Sequence, residues 1–518
     1  MILRPYQTDA VEAVYKNWDE YRKVLAVLPT GTGKTICFAD IAKREHDAGR
    51  RTLILAHRDE LIRQAADKIM RSTGLSCAIE KAEETSIGSM YRIVVGSVQT
   101  MMRQSRLQRF DPNYFDTIIV DECHHAISDS YRRVLDYFTG ARVLGVTATP
   151  DRGDKRNLGA YFEALAYEYS LRDAVKDGWL CRIAALTVPL KIDLTGVRTT
   201  AGDYNEADLG NALYPYLPHI ADQIPPNRKT MIFTPLCATA QKLQVILNSA
   251  GRRAYYASGD DRSQIPAWEA DGPGAVMLNS QLFNEGYDHP PIDCIVVLRA
   301  TKSRPYYAQM VGRGTRPFEG KKNLLLIDFL WHTVTHDLCH PCSLVAENEE
   351  VAAKMESIQE SAGGELDLED MEIRAKEDVI KAREEALAEK LRTMRNKQRR
   401  AIDPIAFGLS IDAADLADYE PLFAWEKRKP SDGQVKTLQN FGLATDEITT
   451  RGLASKLLER VIERRKQNLA SPKQVSLLRR FGYGHEHAAK MNFNEAKHAI
   501  DKIADNGWRR PRPVEVIF

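Results

Sequence analysis

The segment Pro29-Thr30-Gly31-Thr32-Gly33-Lys34-Thr35 gathers two glycines, three threonines and a lysine into seven residues. Tight glycine turns let consecutive backbone N–H groups point inward at the start of a helix, a geometry that holds phosphate oxygens. In such a loop Lys34 reaches β- and γ-phosphates, and Thr35 offers its hydroxyl to Mg²⁺. Leu28 stands where the usual pattern opens on glycine or alanine. Asp121-Glu122-Cys123-His124 follows the apolar run Thr117–Val120. Two adjacent carboxylates at the end of a buried strand divide the labour. Asp121 holds Mg²⁺ through water, and Glu122 orients and deprotonates an attacking water. An isolated Asp-Glu pair reads as solvated surface; behind a buried strand and a phosphate loop it reads as chemistry.

About 280 residues beyond the start of the glycine loop stands Gln309-Met310-Val311-Gly312-Arg313-Gly314-Thr315-Arg316. Arg313 and Arg316 fall on one helical face at i, i+3. Guanidinium groups are planar and always charged, and they stabilise charge on a transferring phosphoryl group. Gly312 and Gly314 permit close backbone approach. One half therefore holds Mg-ATP and the other offers cations to its γ-phosphate. A site assembled from two distant segments opens and closes with each nucleotide cycle.

These residues need elements to position them. Short apolar strands at Val24–Leu28, Thr52–Ala56, Ile93–Gly96, Thr117–Val120 and Val143–Val146 alternate with amphipathic stretches, and Ile36–Ala48 reads as a helix. The rhythm repeats with strands at Lys229–Phe233, Gly274–Leu278, Cys294–Leu298 and Asn323–Ile327. Continuous apolar runs separated by helices predict parallel sheets covered on both faces. Two α/β domains follow, over 1–182 and 183–345, with Asp151–Arg156 as a surface loop.

Composition shifts beyond residue 345. Residues 365–400 are highly charged, with Ile373, Ile380, Leu387 and Met394 spaced by seven and Leu391 the nearest apolar neighbour. Mostly polar partner positions favour a helix lying on another domain over a dimeric coiled coil. An acidic start (Glu365–Glu372) and a basic end (Arg392–Arg400) suit the helix dipole. This charged helical linker spans 346–430. In the remaining segment, 431–518, Ser431-Asp432-Gly433-Gln434-Val435 … Leu438 … Phe441-Gly442 recurs as Ser471-Pro472-Lys473-Gln474-Val475 … Leu478 … Phe481-Gly482. Each copy opens on a capping residue and stops at a glycine, with a second helix around Lys456 or Lys497. The expectation is a small all-α tail of two helical hairpins packed on each other.

Net charge is only +1, from 72 basic and 71 acidic residues, so no global field recruits nucleic acid. Such affinity must come from local patches and aimed backbone groups. Residues 431–518 carry 16 Lys/Arg against 10 Asp/Glu, a surplus that fits DNA binding, docking of a protein partner, or ordinary solvated lysines. Eight scattered cysteines, with Cys37 and Cys123 near the phosphate motifs, suit a reducing compartment rather than a disulfide framework. No run approaches membrane-spanning length and the start lacks a signal-peptide core. The expected setting is cytoplasmic, without a membrane.

With these motifs in place, roughly residues 1–340 resemble a superfamily 2 helicase of the DEAD/DEAH class, with the Asp-Glu-Cys-His form of the second motif. The resemblance implies two tandem RecA-like domains, and ATP and Mg²⁺ as cofactors. Arg4-Pro5-Tyr6-Gln7 resembles the adenine-reading segment, with Gln7 as the base contact and Thr30, Gly31, Thr32, Gly33, Lys34 and Thr35 around the phosphates. Ala56–Leu61 and Gly96–Thr100 resemble strand-contacting motifs, and Thr147-Ala148-Thr149-Pro150 the coupling motif. Ile232–Pro235 and Asn284–Asp288 resemble their counterparts in the second domain, where Gly286 and Asp288 link nucleic acid to the cleft. Gln309, Arg313 and Arg316 join Glu122 as the catalytic set, and His124 relays the state of the γ-phosphate. His125 reads as packing or surface.

The wording is nearest to the bacterial RadD type and the XPB-like branch. RadD-type proteins carry a cysteine-rich zinc region; here only Cys339 and Cys342 remain, near His332, His336 and His340, and the pair reads as structural. The charged helix and duplicated tail lie outside the resemblance. The function it implies is a nucleic-acid motor driven by ATP, with DNA favoured over RNA: a helicase, or alternatively a double-stranded DNA translocase. A motor indifferent to sequence grips phosphates through backbone N–H groups and hydroxyls, and Ser97, Thr100, Thr149 and Thr234 are of that kind. A scaffold with a dead ATPase is a third reading, opposed by the intact Lys34, Asp121, Glu122, Arg313 and Arg316.

Overall fold

A computed structural model of the chain describes residues 3–56, 59–123, 128–148, 158–190, 197–200, 203–284, 286–331, 339–346, 349–362, 364–376, 378–379, 382, 416, 419–441, 443, 445, 448–483 and 485–505. The chain forms two compact units, one of residues 1–346 with 355–373 and the other of residues 347–354 with 374–518.

The first unit holds two seven-stranded sheets among its described residues. Across the first, the order is Ala78–Glu80, Ile93–Ser97, Thr52–Ala56, Thr117–Asp121, Arg142–Thr147, Lys23–Val27 and Ala164–Glu168, every pair parallel. Alternate strand residues point to opposite faces. Ile54, Ile119 and Leu144 join a core with the helices Pro5–Trp18, Lys34–Asp47 and Asp59–Thr73. Their neighbours Ile118, Val120 and Val143 are as deeply buried. Burial on both faces accounts for unbroken apolar runs in the sequence.

The second sheet runs Arg253–Tyr256, Ala275–Asn279, Thr230–Phe233, Cys294–Val297, Leu324–Trp331, Ile183–Leu190 and Leu366–Asp367. All its pairs are parallel except the last, where Leu366 and Asp367 lie antiparallel to Ala185 and Ala184. Each strand expected from the sequence is present within a residue or so, except that the one expected to end at Ile327 runs on to Trp331. Those not foreseen, such as Ala78–Glu80 and Ile183–Leu190, are short or carry charge or proline. The α/β class with tandem parallel sheets stands.

Residues 365–367, expected as the start of a long helix, instead end in that edge strand, and residues 368–376 are helical. Arg182 holds the strand's end through Asp367 and Asp370, at 2.8 and 2.9 Å. The heptad positions Ile380, Leu387 and Met394, with Leu391, lie outside the described residues. The second unit contains the duplicated tail. Helices Asp432–Asn440 and Arg451–Lys466 enclose Leu438, Ala454, Leu457 and Val461; Pro472–Arg480 and Phe493–Asp505 enclose Val475, Leu478, Ala496, Ala499 and Ile503.

Candidate nucleotide cleft

Parallel α/β sheets bind ligands beyond the carboxyl ends of their strands. Strand Lys23–Val27 delivers the glycine loop there, and Thr117–Asp121 delivers its carboxylates two strands away. Gly31 and Gly33 adopt φ of 92° and 82°, left-handed values that side-chain-bearing residues resist. Helix Lys34–Asp47 starts directly after Gly33, so its free N–H groups face the cleft. Glu122 itself sits at φ 48°, and its backbone N–H donates to Asp121 Oδ1 at 3.0 Å.

From the second sheet, helix Arg304–Gly312 ends at Arg313. Its glycines permit the approach that the sequence suggested. A Cβ on Gly312 would stand 2.5 Å from Thr30 Cβ, and one on Gly31 would lie 3.3 Å from Thr315 Oγ1 and 3.7 Å from Arg316 Cγ. The Cys181 N–H donates to Thr315 O at 2.7 Å. The two motifs are thus in contact, and between them opens a cleft of about 730 Å³, including solvent at its mouth.

Thr30, Gly31, Gly33, Lys34, Thr35, Asp121 and Glu122 line this cleft from the first sheet, and Gly286, Arg313 and Arg316 from the second. Lys34 Nζ lies 2.5 Å from Glu122 Oε1, both largely buried. Arg313 donates to Tyr287 O at 2.7 Å and Asn284 O at 2.9 Å. Arg316 pairs with Asp288. Burial, and then the nearby Arg4, press the Arg316 pKa below its ordinary value. Thr35 and Asp121 line the same wall. One hydroxyl and one carboxylate make a hard-oxygen donor set of the kind that holds Mg²⁺ with waters and phosphates, so the residues fit the ion.

Other expected residues do not reach the cleft. Thr32 is buried, with its hydroxyl donating to Pro29 O at 2.7 Å. Gln309 is buried within its helix. Gln7 supports the loop from behind: its Nε2 donates to Thr32 O at 2.9 Å, and its Oε1 accepts from the Arg4 N–H at 3.0 Å. Tyr6 OH donates to the same carbonyl at 2.6 Å, and its ring stacks on Tyr169 at 4.6 Å. Ser97, Thr100 and Thr234 are buried. Their hydroxyls bond to Gln99 Oε1, the Ala82 N–H, and the Leu236 and Asn279 carbonyls. His124, His125, Thr149, Pro150, Glu285, His332 and His336 lie outside the described residues, as do His57 and Arg58.

The sequence reading missed Gln64, Ala65 and Lys68, which line the cleft from helix Asp59–Thr73. The i, i+4 spacing of Gln64 and Lys68, just after a strand-contacting motif, was the available signal. Near Cys339 and Cys342, His340 Nε2 pairs with Glu356 at 2.5 Å and Cys342 faces Gln359. Among the described residues no three His, Cys, Asp or Glu side chains cluster as a metal site.

The chain is similar to known proteins in sequence and in fold. Residues 1–152 match the family described as type III restriction enzyme, res subunit. A putative ATP-dependent helicase, IRC3, from Saccharomyces cerevisiae is 32% identical over 64% of this chain and 51% of its own length. The core resembles that of a superfamily 2 helicase. An Escherichia coli type I restriction enzyme EcoAI endonuclease subunit is 28% identical over 63% of this chain and 46% of its own length. The chain spans about half the length of these curated relatives. A fragment of a putative HsdR subunit of a type I restriction enzyme from Vibrio vulnificus shares the fold, with TM-score 0.51, 24% identity, and 64% of both chains covered. Among the described residues no helix is long and apolar enough to cross a membrane.

Proposed function

We propose that this helicase core is an ATP-driven motor acting on DNA, coupling hydrolysis to movement along DNA and to strand separation. The observation that carries the reading is the single cleft where Lys34, Thr35, Asp121 and Glu122 face Arg313 and Arg316. In the reading, the glycine loop and Lys34 bind the β- and γ-phosphates, and Arg313 and Arg316 draw the second lobe onto the γ-phosphate. Thr35 and Asp121 hold Mg²⁺, which when bound neutralises phosphate charge. Incoming phosphates compete with Glu122 for Lys34; the 2.5 Å pair opens, and the freed carboxylate takes a proton from the attacking water. Hydrolysis removes the γ-phosphate charge, so the lobes part. Alternating grip by two lobes then advances the chain along its track.

DNA is favoured over RNA because the relatives include restriction-enzyme subunits. Those subunits also support a second reading, movement along duplex DNA without strand separation. All eight cysteines are free thiols, which fits the cytoplasmic setting proposed here. Protein partners docking on the helical tail complete the proposal. The test is ATP turnover with and without single-stranded DNA, duplex DNA and RNA, repeated with Glu122→Gln. DNA stimulation lost in that variant supports the motor; equal turnover with every nucleic acid refutes it. Displacement of a labelled strand separates helicase from translocase.

A further inference from the structure

The cleft holds a cation that no sequence motif contains. Lys68 lies on helix Asp59–Thr73, whose Ile62, Ala65 and Ile69 face the core and whose Gln64 and Lys68 face the cleft. The Lys68 side chain is half-buried, yet its ammonium makes no ion pair or hydrogen bond among the described residues. Burial depresses its pKa; Arg316 and Arg313 add to this, and Asp121 opposes them. Lys34, Lys68, Arg313 and Arg316 thus face one cleft whose lining carries two carboxylates, Asp121 and Glu122. A lysine held among cations at a desolvation cost needs an anion to settle there.

Its place in the cleft says which part of the anion. Gln7 and Tyr6, on the adenine-reading segment, bond to the Thr32 carbonyl and do not line the cleft, whereas Lys68 lines it close enough to Arg316, Asp121 and Arg313 to feel their charges. One turn earlier Gln64 abuts that lobe: a Cβ on Gly286 would stand 2.6 Å from Gln64 Oε1. We propose that Lys68 is a second γ-phosphate lysine, supplied by the helix after the first strand-contacting motif, which senses ATP against ADP. The inference rests on the nucleotide reading above.

Binding of Mg·AMP-PNP and Mg·ADP to the full chain tests it, in wild type, Lys68→Gln and Lys68→Arg. Loss of one charge-assisted contact should weaken AMP-PNP by about tenfold or more and leave ADP within about twofold. Lys68→Arg, which keeps the charge, should restore most of the AMP-PNP affinity. Should Lys68→Gln lower the melting temperature, the Arg variant against Lys68→Met at matched stability gives the same comparison. Equal weakening of both nucleotides, or no weakening, overturns the γ-phosphate role while leaving the ATP site intact. A wild-type chain that binds neither nucleotide overturns the nucleotide reading and this inference together.

Discussion

The nucleotide cleft and the duplicated tail solve opposite problems with the same residue types. The cleft draws Lys34, Lys68, Glu122, Arg313 and Arg316 from segments far apart in sequence and places them largely out of water. Among the described residues the tail keeps most of its charges outside, Arg464 excepted, and closes each copy locally. Ser431 and Gln434 cap one helix reciprocally at 2.9 and 3.3 Å, and Ser471 and Gln474 repeat this at 2.9 and 3.4 Å. Thr450 and Asn492 cap the second helices, and Arg464 joins the copies by donating to Ala470 O and Ala489 O at 2.9 and 2.8 Å. Charges that converge after long loop closures point to a ligand, whereas charges spread over locally closed helices keep a module soluble and separately stable.

The comparison breaks first if the cleft residues prove dispensable. Lys34→Ala and Glu122→Gln should each lower DNA-stimulated ATP turnover on the order of a thousandfold. Exchanging the exposed Lys473 for Ala should leave basal turnover unchanged. Steady-state phosphate release measures both, and comparable losses would erase the distinction.

A structural charge in the first unit gives the next largest effect. Glu45 is fully buried and accepts from Arg50, Arg142, Thr117 and Tyr15 at 2.6 to 2.9 Å. Burial alone would raise its pKa, but bonds from Arg50, Thr117 and Tyr15 outweigh burial and bring it to about 2. A depressed pKa contributes stability that is complete above the unfolded value, about 4.3, and is lost as pH falls through the folded value of about 2. Glu45→Ala should therefore cost about 3 kcal/mol at neutral pH, with the deficit shrinking toward acid. Denaturant melts at two pH values check the sign.

Much of this was legible in the sequence because strands buried on both faces write themselves as apolar runs, and phosphate loops need fixed glycines. Strand positions, the tail's capping residues and most cleft residues follow from such local rules. The spacing of Gln64 and Lys68 put them on one helix face, but that this face lies near Gly286 and Arg316 of the other lobe was not legible. Gln7 was expected as a base contact, and its bond to the Thr32 carbonyl was not legible. Buried hydroxyls at Ser97, Thr100 and Thr234 likewise show that residue type alone does not place a group on a surface.

Smaller effects sharpen the comparison further. Gly312→Ala brings a Cβ within 2.5 Å of Thr30. It should lower turnover by about tenfold through misplaced lobes, while circular dichroism stays native. Ser471→Ala removes one cap and should destabilise the second hairpin by about 1 kcal/mol. Hydrogen exchange should then rise in 472–480 and leave the first hairpin protected; equal loosening of both would mean that they form one cooperative unit.

The most direct test of a site split between two lobes is DNA-stimulated ATP turnover by Arg316→Gln, whose side chain lies on the lobe opposite the phosphate loop. The account expects turnover to fall about a thousandfold, with Mg·ADP affinity kept within about twofold. Turnover at the wild-type rate would contradict it, because the first lobe would then hydrolyse ATP without the second.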